Sequence, residues 1–365
     1  MFSDNEKISS HQMARLLIFD LFTCAALYLP GALAKAATNE ILLSVFAGML
    51  LIWCAGEICV FCVNRCGGSF LPAVARTCKA TAPVVYVFFG FRCLFTLVFM
   101  LYIFIKVLKQ TFLYNIPSVV LAVAMMLVLV YACLQGIQIR ARLAEILFYL
   151  ILVPILCISF FSIPEADFGQ IIRLDGFSFS GWGRGILIVL ALFSPVEWFL
   201  FTEEERSRNK NRQVMTASIF IGGGLVLILT LLCVCVLTPE KMGGESWPAV
   251  LLMQIVRIPG GFMSRQDGLM LSFWIFGMFM SLSGALTHSA RLFRMTVGKG
   301  SGRQWLILTA LVGCGAALMA ENGQGFDTVY FTAMLAGLPI ALGIILYVGW
   351  KRYRRKVWRS EDESR

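Results

Sequence analysis

Charge is scarce in this chain of 365 residues: 14% are Asp, Glu, Lys or Arg, while 59% are hydrophobic. With a mean hydropathy of +0.80, the chain has too little polar surface to cover a soluble globule, which excludes a soluble enzyme or binding domain. Histidine is nearly missing, with only His11 and His288. Cys59, Cys62 and Cys66 share a helical face, yet no second thiol cluster completes a four-ligand site, so no metal is expected. Cys54, Cys93, Cys133, Cys157, Cys233, Cys235 and Cys314 lie inside apolar runs, as small packing residues do, and not as a disulfide scaffold would. Gly222-Gly223-Gly224 lacks the Lys-Ser/Thr of a nucleotide loop and reads as a close-packing surface. No nucleophile-base pair stands out, so neither an enzyme nor a cofactor is expected.

What the chain does have is long apolar runs. About twenty apolar residues cross a bilayer, and that ruler gives an all-α integral membrane protein with ten spans. They cover Gln12–Ala34, Glu40–Val63, Ala82–Leu108, Ile116–Leu134, Ile139–Ile163, Arg184–Thr202, Val214–Leu237, Gln266–Phe293, Trp305–Ala320 and Phe326–Trp350. Ser9 with Gln12 matches a capping box, Ser264 with Asp267 resembles one, and Asp327 can cap the last helix. The stretch SWPAVLLMQIVRIPGG is different, because its helical part, 248–258, is only about 16 Å long and cannot cross. It is expected to lie at the outer surface or dip partly in.

The 31 Lys and Arg residues set the orientation. With both termini and alternate loops assigned to the cytoplasm, that side holds 22, the other side 8, and Arg92 alone stays within a span. The surplus of positive charge is therefore an address on the membrane and not a nucleic-acid footprint. Ala32-Leu33-Ala34 offers a rival reading of the first span as a cleaved signal peptide, opposed by Asp4, Glu6 and Asp20, which weaken its basic start and apolar core. Residues 1–163 and 164–350 form two five-span halves, followed by a basic tail at 351–365.

The sixth span contains ALFSPVEWFLFT, where a proline and a carboxylate fall within three residues. In a helix interior a proline costs about 3 kcal/mol, and a carboxylate at membrane depth about 2.5–3.5 kcal/mol. Ser194-Pro195-Val196-Glu197 suggests a cause: it has the pattern of a helix start, with Ser at the N-cap, Pro first and Glu reaching back. The span is then two half-helices meeting near Phe193, about 15 Å below the outer surface. Broken backbone at that depth is tolerated only against protein or a water-filled cavity. Free N–H and C=O groups there suit the carboxylate and ammonium of an amino acid. The alternative is a proline kink with Glu197 paired to a neighbour. If the halves are inverted repeats, the first span should open too, and Thr23-Cys24-Ala25 is the small polar stretch halfway along it.

Other ionisable groups lie inside spans. Asp20 and Arg92 sit about 12–15 Å deep and Glu57 about 9 Å, so Arg92 can pair with either carboxylate. A fixed tether between spans and a proton-coupled or gating role are the two readings. Glu145 is placed to pair with Arg142, three residues before it, near the cytoplasmic mouth. His288 is expected to be hydrogen-bonded to a neighbour, the rival role being a proton carrier.

Four stretches, ISSHQMARLLIFDLFTCAALYLPGALAKAA, IRARLAEILFYLILVPIL, FSPVEWFLFTEEE and RQDGLMLSFWIFGMF, occur in an order and spacing that resembles the endospore germination permeases. These are the B subunits of GerA-type nutrient germinant receptors, within the amino acid-polyamine-organocation superfamily. The resemblance implies a LeuT-like 5+5 inverted repeat with discontinuous first and sixth helices. A ligand of the amino-acid class would lie between Thr23, Cys24 and Ala25 on one side and Phe193, Ser194, Pro195, Val196 and Glu197 on the other. Two departures stand out: Phe22 and Ser-Pro-Val-Glu-Trp replace the glycine beside the first break and the aromatic-Gly-Phe-Glu pattern of the second. It also implies companion subunits, a second membrane protein and a lipoprotein, in the bacterial cytoplasmic or inner spore membrane. An autonomous permease using the same pocket, with Asp20, Glu57 and Glu197 as the candidates for proton coupling, is the alternative, and a ligand-free membrane scaffold is the third class.

Overall fold

The computed structural model describes residues 8–37, 39–172, 177–202, 208–255, 266–323 and 325–362. In chain order the helices are α1 (Ser10–Ala36), α2 (Ile41–Cys66), α3 (Phe70–Thr77), α4 (Ala82–Thr111), α5 (Ser118–Leu134), α6 (Ile137–Ser162) and α7 (Phe179–Leu192). A 3-10 helix, Ser194–Phe201, follows, and then α8 (Arg208–Leu237), α9 (Pro239–Gly244), α10 (Pro248–Ile255), α11 (Gln266–Val297), α12 (Gly302–Asn322) and α13 (Phe326–Asp362).

Among the described residues nine helices are long and apolar enough to cross a membrane, with the sixth span taken as Phe179–Phe201. The remaining expected span, α5, is apolar but has 17 residues, about 26 Å of rise. Local signals place several boundaries. Ser9 and Gln12 form the expected capping box at the start of α1. Gly67, at φ 76°, ends α2 in the left-handed conformation open to glycine, and Gly136, at φ 89°, turns the chain between α5 and α6. Asp327 lies within the first turn of α13 and so is not its cap. The stretch from Pro248 forms the short α10 as far as Ile255; 256–258 lie outside the described residues. So do the cap expected of Ser264 and the cations Arg173, Arg206, Arg257 and Arg265.

α1 is the axis of the bundle, buried along 89% of its most apolar stretch and packed against α8, α11, α7 and the 3-10 helix. α6, α12 and α13 are buried over 22%, 33% and 28% of theirs, so they turn most of their apolar surface to lipid. Small residues let the inner helices approach. A side chain at Gly48 of α2 would meet Val189 of α7 at 2.6 Å, and one at Gly185 of α7 would overlap Ser44 of α2. Within the glycine triplet of α8, Gly223 faces Met49 and Gly222 faces α1 at Ile18, whereas Gly224 has open space around it.

Candidate functional site

The sixth span changes character where the sequence places its proline. α7 runs to Leu192, Phe193 sits at φ −89° and ψ 10°, and Ser194–Phe201 continues as a 3-10 helix. Pro195 has no N–H to give back to Ala191, so α-helical bonding cannot pass through it. The next donor, Val196 N–H, instead reaches the carbonyl of Phe193 at 3.1 Å, three residues back. Eight residues is long for this geometry, which rarely exceeds three or four and often marks a hinge or a strained sequence.

This corrects the expectation of two α-half-helices with a capped second start. Ser194 makes no cap: its Oγ lies 3.7 Å from Met334 Sδ on α13. Glu197 does not reach back, because Arg92 of α4 claims its carboxylate, with Nε 2.8 Å from Oε1 and 3.2 Å from Oε2. Residues three apart eclipse in a 3-10 helix, so Ser194 and Glu197 share one edge, turned toward α4 and α13.

Arg92 joins three elements. Besides Glu197 it donates through Nη1 to the carbonyl of Met334 at 3.0 Å, and its approach to α13 depends on Gly337, where any side chain would overlap Nη1. Its Nη2 is buried without a hydrogen-bond partner among the described residues. Thr96 Oγ1 donates to the Arg92 carbonyl at 3.0 Å. The Tyr330 hydroxyl lies beside Thr96 and Ser194, and its ring is stacked on Phe99 at 3.8 Å. Thr96, Tyr330 and Met334 carried no sequence signal as site residues, since each is unremarkable in an apolar run.

The first span departs from the expectation more fully: α1 is unbroken from Ser10 to Ala36. Thr23 Oγ1 donates to Phe19 O at 2.8 Å within the helix, while Trp274 Nε1 and Ser281 Oγ of α11 donate to the carbonyls of Thr23 and Phe19 at 2.9 and 2.7 Å. Without a glycine in this stretch, helical geometry survives, and Thr23, Cys24 and Ala25 point in different directions. Cys24 lies toward Tyr28 and Tyr330, on the side of the sixth span's edge. Thr23 faces Gly277 of α11 and lines a cavity of about 30 Å³ together with Ala26, Ile151, Met253, Phe273 and Trp274. Its wall is almost wholly apolar, and none of Phe193 to Glu197 borders it.

The other intramembrane carboxylates find partners different from those expected. Asp20 meets Arg140 of α6 at 3.0 Å, and the same Nη2 donates to Met280 O of α11 at 3.1 Å. Glu57 pairs with Arg212 of α8 at 3.0 Å, and Glu145 with Arg15 of α1 at 3.0 Å in place of Arg142. Depth along each helix is readable from sequence, but rotation about its axis is not, and rotation chooses the partner. His288 is buried with Nδ1 lacking a partner among the described residues, its ring 5.6 Å from that of Trp198 and 5.7 Å from that of Phe201, so the expected bond to a neighbour is absent at that nitrogen.

Residues 7–324 match the pattern of a family described as spore germination protein. No curated protein is similar enough to count as a relative. Among solved structures, the chain is similar to Mhp1, a nucleobase-cation-symport-1 family transporter in a closed conformation with bromovinylhydantoin bound (TM-score 0.71, 14% identity, 93% of this chain and 78% of that one). It is also similar to MhsT in complex with L-phenylalanine (TM-score 0.65, 13% identity, 94% and 89%), and to a Na+-coupled sialic acid symporter (TM-score 0.62, 12% identity, 91% and 78%). At such identities the likeness is one of fold, that of the LeuT-like transporters.

Proposed function

The chain belongs to the spore germination protein family, and from that premise we propose that it is the ligand-sensing membrane subunit of a nutrient germinant receptor. The ligand is a small nutrient of the amino-acid class. It is held between Thr23, Cys24 and Ala25 of α1 and Phe193 to Glu197 of the sixth span, and its binding shifts a conformational equilibrium read by a second membrane subunit and a lipoprotein. Both termini face the cytoplasm, and residues 1–163 and 164–350 act as the two repeats.

The observation that carries this reading is the change from α to 3-10 geometry at Phe193, where Pro195 denies the Ala191 carbonyl its α-helical donor beside buried Ser194, Glu197 and Arg92. A free guanidinium N–H suits a carboxylate, and α1 packs against both halves of the sixth span. MhsT, a protein of the same fold, has L-phenylalanine bound. The cavity beside Thr23 is too small for an amino acid, so binding requires α1 to move away from α11; that movement breaks the bonds that Trp274 and Ser281 make to the Thr23 and Phe19 carbonyls and leaves these acceptors open to the ammonium of the ligand.

A thermal-shift screen of the purified chain against amino acids tests this. An amino acid raises the melting temperature, and Ser194→Ala or Thr23→Val weakens the rise. Stabilisation that neither change weakens would put the pocket elsewhere, and no response to any amino acid would favour a scaffold. The second reading, an autonomous permease, draws on the fold it shares with transporters; uptake into proteoliposomes holding this chain alone would favour it.

A further inference from the structure

A second cavity, of about 60 Å³, lies nearer the start of α6 than the residues of that helix that line the Thr23 cavity, between the end of α5, the first turns of α6 and α11. Ala132, Cys133, Gly136, Arg140, Ser283 and Thr287 line it, and Gly136 is exposed, which gives it an opening at the α5–α6 turn.

Its hydroxyls and thiol are occupied. Thr287 Oγ1 lies 2.7 Å from Ser283 O and 3.4 Å from Cys133 Sγ, Cys133 Sγ lies 3.6 Å from Ser283 O, and Ser283 Oγ donates to Met280 O at 2.6 Å. Arg140 is not used up in this way. It is 9% exposed, and Nη2 alone makes the bonds to Asp20 and Met280 O. Nε is walled in without a partner, and Nη1 has none among the described residues. Space for the guanidinium is built into α11, since a side chain at Gly284 would overlap it. Beside it, α6 begins at Gly136 with no side-chain cap, leaving first-turn N–H groups and the positive end of the helix dipole at the same place.

A guanidinium has donors and no acceptor, and the uncapped helix start adds only further donors. We propose that this cavity binds a small monovalent anion, a carboxylate of one or two carbons or a halide, on the free side of Arg140. Asp20 holds the other side of the same guanidinium, so the two negative charges compete for it. Their competition couples anion occupancy to the tie between α1, α6 and α11.

Titration of the purified full chain with formate, acetate or chloride, replacing gluconate at constant ionic strength and read by melting temperature and tryptophan fluorescence, tests the proposal. At least one of the three gives a saturable response, and the comparison separates carboxylate from halide. Asp20→Asn, which removes the competing charge, tightens binding by about tenfold, an outcome that a purely structural pair would not produce. Ala132→Leu, which fills the cavity without touching the ion pair, abolishes the response. The proposal is overturned if neither wild type nor Asp20→Asn responds, if Asp20→Asn binds no more tightly, or if Ala132→Leu responds as wild type does.

Discussion

Arg92 and Glu197 are each 5% exposed, so neither charge can turn to water when its partner is lost. Glu197→Gln leaves the guanidinium buried and uncompensated, and we expect it to destabilise the chain by about 3–5 kcal/mol. Arg212 is different, with its side chain 64% exposed against Glu57; Arg212→Ala should cost at most about 1 kcal/mol. Thermal unfolding of both variants in detergent checks the contrast, and equal losses would mean that Arg92 and Glu197 do not meet. The same measurement checks Gly337→Ala. Its added methyl overlaps Arg92 Nη1, and overpacking of that kind typically costs about 1–3 kcal/mol.

The sixth span keeps its 3-10 half because two residues oppose an α-helix there. Pro195 removes one donor, and Arg92 draws Glu197 away from the backbone it would otherwise cap. Pro195→Ala restores the N–H and lets Ser194–Phe201 return toward α geometry. We expect this variant to melt at a higher temperature than wild type while losing its response to the amino acid, since rigidity here removes the backbone groups that the ligand uses. A variant that melts higher and still responds fully would detach the 3-10 segment from binding. Within this element the sequence was informative up to a point. Pro195 and Glu197 marked the place, but not the outcome, because the capping pattern is a local signal and Arg92 is a distant competitor 105 residues away. In α1, Thr23-Cys24-Ala25 looked open for want of bulk, yet Trp274 and Ser281 of α11 pack and bond against it as a continuous helix.

For the molecule as a whole, the span positions were legible because hydropathy over twenty residues averages out local detail. The pairing of helices was not, since each charged residue's partner depends on how α1, α4, α6 and α8 are rotated once packed. The orientation read from 22 against 8 positive residues is testable by itself. Reporter fusions active only in the cytoplasm should work at both termini, and one that worked at only one of them would put an odd number of spans between them. The family match over residues 7–324 and the LeuT-like fold frame the function, but a ligand-responsive segment has to be seen in this chain. Backbone amide hydrogen exchange across residues 185–201, with and without the amino acid that shifts the melting temperature, measures it most directly. The account predicts that the amides of Ser194 and of residues 196–201 exchange faster than those of residues 185–192 and become protected on binding. Equal protection in both halves, unchanged by that amino acid, would contradict it.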